Sequence, residues 1–165
     1  MIQKKICMVG AFAVGKTSLV ARFVESIFSE KYQTTVGVKI SKKVLQYRDE
    51  HWQLLLWDLA GEDEFLQVRT SYLRGSAGYL LVVDGTRRAT LETALGIRQR
   101  IVDALGDIPF VILFNKADLA SEWDMGEHTM APLTEAGWVW LKASAKTGLG
   151  VEEAFRTLLD SIQER

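Results

Sequence analysis

Apolar positions fall into two rhythms along this chain. Lys5-Ile6-Cys7-Met8-Val9 is an apolar run of strand length, and Leu19, Val20, Phe23 and Val24 follow it at the spacing of one helix face. The stretch from Glu25 to Gly37 is polar and has no clear period, which predicts a long irregular segment. Val38 and Ile40 alternate with polar partners and Val44 follows, as in a half-exposed strand. Arg48-Asp49-Glu50 turns the chain, and Trp52 to Trp57 returns as a more buried strand. So short a connection predicts antiparallel neighbours. A helix is expected around Phe65 to Arg74. Tyr79 to Val83 reads as a buried strand ending at Asp84. Leu91, Leu95, Ile101, Val102 and Leu105 mark a long amphipathic helix, and Phe110 to Phe114 another buried strand. The segment from Leu119 to Gly137 has room for one short helix. Trp138 to Leu141 is the last strand. Val151, Ala154, Phe155, Leu158, Leu159 and Ile162 form the cleanest helical stripe.

The order of these elements predicts an α/β protein. With 165 residues, 48% hydrophobic and 25% charged, the chain suits a single domain over residues 1–165. A net charge of −1 gives no reason to expect nucleic acid as a partner. The lone cysteine, Cys7, rules out an internal disulfide framework, is expected to be buried, and fits a cytoplasmic location. No apolar run is long enough to span a membrane, and no signal peptide is visible. His51 and His128 are isolated and expected on the surface. The five tryptophans lack interleaved basic residues, so they are expected in the core or at a partner surface.

Three stretches carry chemistry. Gly10-Ala11-Phe12-Ala13-Val14-Gly15-Lys16-Thr17 reads G-x-x-x-x-G-K-[ST], between a strand and a helix. Its backbone N–H groups form an anion nest, extended by the N-terminus of the following helix through Ser18. Lys16 would reach the β- and γ-phosphates, and the Thr17 hydroxyl would bind Mg²⁺. Asp58 ends a buried strand, where a carboxylate is costly unless it serves something. Beside a phosphate site it would help hold Mg²⁺, and Gly61 would offer an N–H to the terminal phosphate. Asn115-Lys116-Ala117-Asp118 closes a third strand. An asparagine suits a purine edge. The Asp118 carboxylate suits guanine N1–H and the 2-amino group, which adenine lacks. Ser144-Ala145-Lys146 follows the last strand.

Together these residues resemble the Ras superfamily of small GTPases, within it the Rab branch. The resemblance covers the whole chain: GAFAVGKT at 10–17, TVG at 35–37, WDLAGE at 57–62, SYLRG at 71–75, NKAD at 115–118 and SAK at 144–146. It implies a P-loop NTPase fold, a six-stranded mostly parallel sheet with one antiparallel edge strand and helices on both faces. It implies GTP or GDP with Mg²⁺ as ligands, and switch loops around 28–37 and 58–70. By position, Phe28 resembles the aromatic that packs on guanine, and Tyr32 the tyrosine that closes over the γ-phosphate. Thr35 resembles the switch threonine on Mg²⁺, with Thr34 the alternative. Ala145 would give its amide to guanine O6, Lys116 would lie along the base, and Lys146 would back the pocket. Ala13, Val14, Gly15 and Ser144 complete the expected nucleotide contacts.

Four departures stand out. Glu62 occupies the position of the water-positioning glutamine, which puts a carboxylate near a polyanion. Phe12 replaces a small residue in the phosphate loop. Ile40 replaces an aromatic of the Rab effector surface, while Trp57 and Tyr72 keep its other two members. The chain carries no prenylatable cysteine after its last helix, so no membrane anchor is expected in it. That is in keeping with either a shortened chain or a bacterial Ras-like GTPase. The expected function is a GTP switch with slow hydrolysis, in which Lys16, Gly61 and Glu62 are the candidate catalytic residues. The competing reading is a nucleotide-stabilised binding scaffold without useful turnover. A monomer is expected, with effector, exchange-factor and activator proteins as partners of unknown identity.

Overall fold

A computed structural model of the chain describes residues 1–30 and 35–165. The apolar runs form strands β1 (Ile2–Gly10), β2 (Val38–Tyr47), β3 (Glu50–Leu59), β4 (Gly78–Asp84), β5 (Phe110–Asn115) and β6 (Trp140–Lys142). They make one six-stranded sheet in the order β2-β3-β1-β4-β5-β6. The β2–β3 pair is antiparallel and every other pair is parallel. Helices α1 (Lys16–Glu25), α2 (Ala89–Leu105), α3 (Glu127–Glu135) and α4 (Val151–Gln163) cover the two faces.

Strict alternation builds two cores. Ile6, Met8, Leu80, Val82, Val111 and Leu113 point to one face, where they meet Leu19, Val20 and Phe23 of α1 and Phe155, Leu158 and Leu159 of α4. Their neighbours Cys7, Val9, Leu81, Val83, Ile112 and Phe114 point to the other, against Leu91, Ala94, Ile97 and Ile101 of α2 and Met130 and Leu133 of α3. Side chains two residues apart share a face, so a strand covered on both sides reads as a continuous apolar run. Cys7 is fully buried, and burial pushes its thiol pKa up. Trp52 is buried on the first face, and Trp57, Trp123, Trp138 and Trp140 pack against the second, so the tryptophans belong to the cores. His51 and His128 are exposed.

The hairpin joining β2 to β3 is tighter than its sequence suggests. Tyr47 pairs directly with Glu50, leaving a two-residue turn in which Arg48 and Asp49 both have positive φ, 48° and 63°. That is the mirror-image turn whose twist matches the flanking strands.

The helix expected around Phe65 to Arg74 is a correction. That segment holds one 3₁₀ turn, Thr70–Leu73. The Asp63 carboxylate accepts the Phe65 and Leu66 N–H groups at 2.7 and 2.8 Å, and Glu62 accepts that of Val68 at 3.0 Å. A helix begun at Phe65 would leave its first N–H groups free, so these side chains cap a turn there, and the 3₁₀ turn at Thr70–Leu73 follows. Between Leu119 and Gly137 lies α3, preceded by a 3₁₀ segment, Ala117–Glu122. The last strand begins two residues later than expected, at Trp140.

The Phe155 ring is fully buried and stacks on Phe23 with centroids 3.9 Å apart, whereas Phe65 is 89% exposed. Phe155→Ala is expected to lower unfolding free energy by ~3–5 kcal/mol. Phe65→Ala should change it by less than ~0.5 kcal/mol, both read from denaturant midpoints.

Candidate functional site

β1 sits between β3 and β4, so successive connections leave its C-terminal end in opposite directions. Open α/β sheets bind ligands at such a point. There the chain turns through residues 11–15 into α1. Gly15 lies at the helix N-terminus in the left-handed region, φ 102°, and a Cβ on it would collide with the Asn115 amide. No side chain caps α1, so its first N–H groups have no side-chain acceptor. A cavity of about 370 Å³ opens in front of them.

Lys16 lies in this cavity with 5% of its surface exposed. Its ammonium donates to the Ala11 carbonyl at 3.0 Å, and no carboxylate pairs with it among the described residues. Burial pushes its pKa down to about 8, the Asp58 charge opposing and the Arg87 charge adding. A buried cation with no carboxylate paired to it is a strong invitation to an anion.

Next to it three oxygens converge. Thr17 Oγ1 lies 2.7 Å from Thr35 Oγ1 and donates to Asp58 Oδ2 at 2.5 Å, and Thr35 Oγ1 donates to the same oxygen at 3.2 Å. Asp58 is 1% exposed, and burial pushes its carboxyl pKa up despite the Thr17 bond and the Lys16 charge. Its other oxygen, Oδ1, is buried with no hydrogen-bond partner. An all-oxygen corner with an orphaned carboxylate oxygen fits a hard divalent cation. Among the described residues no group of three His, Cys, Asp or Glu could hold a metal. Such a cation would therefore lean on ligand oxygens as well, as Mg²⁺ does. Thr34 and Tyr32 lie outside the described residues.

Gly61 closes the phosphate end. A Cβ there would sit 2.6 Å from the Phe12 Cα and 2.8 Å from the Ala11 carbonyl. Phe12 is 39% exposed and stands at the same end. Glu62 does not line the cavity. Its carboxylate is taken by Arg100 of α2 and by the Val68 N–H. The expected carboxylate beside a polyanion is thus turned to a cation on the other side.

The far end of the cavity is lined by Phe28, Asn115, Lys116, Asp118, Ala145 and Lys146. Phe28 also packs against the first core. Asp118 is exposed, its Oδ1 held by the Ser144 hydroxyl at 2.7 Å. Three of these residues also bond to protein. Asn115, expected at a purine edge, spends its amide on protein: Nδ2 donates to the Val14 carbonyl at 3.0 Å and Oδ1 accepts the Ala145 N–H at 3.2 Å. That N–H reaches a base oxygen only by sharing this bond. The Lys116 ammonium sits on Asp84 at 2.8 Å and 3.4 Å from the Ala13 carbonyl, leaving its stem on the cavity wall. Lys146 pairs with Glu30 at 3.1 Å, which raises its pKa. Ala13, Thr17 and Ser18 line the cavity, whereas Val14 and Ser144 are buried behind it.

Asp84 was missed as a site residue. It is fully buried at the end of β4 and accepts from Lys116, from the Thr86 N–H and hydroxyl, and from Arg87 at 2.9 Å. Burial alone would raise its pKa, but these bonds, Lys116 first, hold it below the usual carboxylate range. Arg87 also donates to the Phe12 carbonyl at 2.9 Å, so the cluster braces the phosphate turn. The signal that picked out Asp58, a carboxylate ending a buried strand, was equally present here.

A phosphate-holding turn leading into an uncapped helix, at the switch point of a mostly parallel sheet, defines a P-loop nucleotide-binding protein. The chain belongs to the Ras family, whose model matches residues 5–164. Its relatives include Ras-related protein Rab-7L1 of Rattus norvegicus, 34% identical over 96% of this chain and 81% of the relative. Ras-related protein RABA2d of Arabidopsis thaliana is 33% identical over 96% and 74%, and Ras-related protein Rab-8B of Bos taurus 32% over 98% and 79%. The chain is a Rab-like small GTPase, and such proteins bind guanine nucleotide with Mg²⁺ and hydrolyse GTP. No helix among the described residues is long and apolar enough to cross a membrane.

A bound phosphate would return Lys16 to its charged form. GDP binding is therefore expected to take up a fraction of a proton above pH about 8, approaching one proton before the ordinary lysine range, and none near neutrality. Titration calorimetry in two buffers of different ionisation enthalpy measures that uptake. Identical enthalpies at high pH would contradict it.

Proposed function

We propose that the cavity holds GTP or GDP in one orientation, and that residues 1–165 act as one switch with a slow intrinsic hydrolysis rate. The observation that carries this reading is the cavity's polarity. A buried ammonium, an uncapped helix and three converging oxygens lie at one end, and an aromatic and a carboxylate at the other. Lys16 and the N–H groups of Ala13 to Ser18 would hold the phosphates, and Gly61 would donate to the terminal one. Thr17, Thr35 and Asp58 would hold Mg²⁺, which when bound neutralises charge on the phosphate oxygens. Phe28 would pack on the base and Asp118 would accept from guanine N1–H and the 2-amino group, with Ser144 fixing its orientation. Loss of the γ-phosphate would release Thr35 and Gly61, and with them the loops around 28–37 and 58–70.

Two features support a slow rate. A glutamine both accepts from water and donates toward the phosphoryl group, whereas an ionised Glu62 only accepts. Phe12 lines the cavity and is 39% exposed, and its ring would crowd the phosphate end and hinder an arginine supplied by an activator. The Glu62–Arg100 pair also favours a second reading, a nucleotide-stabilised scaffold without turnover. Ile40, half-exposed and paired with Trp57 across β2–β3, would mark an effector face with Tyr72. We place the protein in the cytoplasm, as a monomer that meets effector, exchange-factor and activator proteins.

Asp118→Asn removes a charged acceptor from two hydrogen bonds worth roughly 1.5–3 kcal/mol each. It should weaken GDP binding by about a hundredfold or more and improve binding of xanthosine diphosphate. Unchanged GDP affinity in a direct titration would remove the basis for guanine recognition. Single-turnover hydrolysis of bound GTP tests the catalytic reading. Glu62→Gln is expected to be faster than wild type, and Phe12→Gly to respond better to an arginine-supplying activator. A slower glutamine variant would make Glu62 a working catalytic group, and no hydrolysis in either protein would favour the scaffold.

A further inference from the structure

Glu62 is tied down separately in its backbone and in its side chain. Its N–H donates to the Gly10 carbonyl at 3.0 Å, and its own carbonyl accepts the Phe12 N–H at 2.8 Å. An isolated bridge joins Ala11 to Glu62, so the main chain here is tied to the phosphate turn. Side-chain torsions alone decide where the carboxylate points. One direction is the mouth of the cavity, which Gly61 and Phe12 line. The other, seen in the structure, is α2, where Arg100 pairs with it and the Val68 N–H adds a bond at 3.0 Å. The Glu62 side chain is 11% exposed and that of Arg100 32%, so the pair is partly out of water. Pairs so placed are screened less than surface ones.

We propose that Arg100 is a positioning residue for the phosphate site, holding the Glu62 carboxylate against α2 and so setting the preference for a triphosphate over a diphosphate. The proposal rests on the guanine-nucleotide reading of the cavity. Without Arg100 the carboxylate loses its counter-charge, and the torsions that free it from α2 bring it toward the terminal phosphate. A triphosphate, with its γ group at the Gly61 end, meets that charge. A diphosphate, which stops short of it, meets it far less. Arg100 is not among the described residues that line the cavity, and its contact with the site runs through Glu62.

The experiment is equilibrium competition against a fluorescent GDP, with Mg²⁺, for GDP and for a non-hydrolysable GTP analogue. Wild-type protein that binds neither would sink the guanine-nucleotide reading itself. If wild type binds, Arg100→Met is expected to lower the triphosphate-to-diphosphate affinity ratio about tenfold, as added like charge at short range does. Arg100→Lys should keep most of the ratio, because it keeps the cation. In a Glu62→Gln background, Arg100→Met should leave the ratio unchanged. Arg100→Gln carries the same expectation as the methionine variant and replaces it if that protein does not fold. An unaltered ratio in Arg100→Met would overturn the proposal. So would a drop that persists with Glu62→Gln, since Arg100 would then act through the fold and not through the carboxylate.

Discussion

One side-chain amide ties together the two loops that frame this site. Asn115 ends β5 and reaches the Val14 carbonyl in the phosphate turn and the Ala145 N–H in the loop after β6. It therefore joins the two ends of a cavity built from segments far apart in sequence. It is 2% exposed, and a buried amide left half-satisfied costs more than its bonds contribute. The contact also explains a glycine: any Cβ at Gly15 would strike this amide. Asp84 does for the turn's other side what Asn115 does for its base. Through Lys116 and Arg87 it ties β4, the base loop and the Phe12 carbonyl together. The P-loop is thus held in shape by side chains that need not touch the ligand.

Much of the fold was legible because burial on both faces leaves a direct trace. β1, β4 and β5 read as apolar runs, and α4 as a stripe, since each residue's environment is set by the element it belongs to. The phosphate turn was legible for another reason: its glycines, lysine and threonine must stand at fixed spacing along the chain. The departures have separate causes. The helix expected at 65–74 has suitable apolar spacing, but Phe65 and Leu66 stay exposed and only Val68 and Leu73 are buried there, so no continuous stripe meets the core. Glu62 was read as a charge facing phosphate because Arg100 lies on an element that only folding brings near. The motif at 115–118 tells that Asn115 and Lys116 gather at the cavity, which they line, and is silent on which atoms each spends on protein.

The antiparallel hairpin has a bearing on how its two loops move. The Thr35 segment enters β2, and the segment carrying Asp58 to Glu62 leaves β3, at the same end of the hairpin. The ladder does not stop at the strands. The Ala60 N–H donates to the Gly37 carbonyl at 2.9 Å, one rung beyond Val38 opposite Leu59. At the far turn, Tyr47 and Arg48 are pinned to Asp160 of α4, so the hairpin is clamped at its base as well. Fixing a residue's backbone costs roughly 1–2 kcal/mol. With a shared rung, settling either loop removes part of that cost for the other. Through this rung the two segments share backbone order, so that holding one lowers the cost of holding the other.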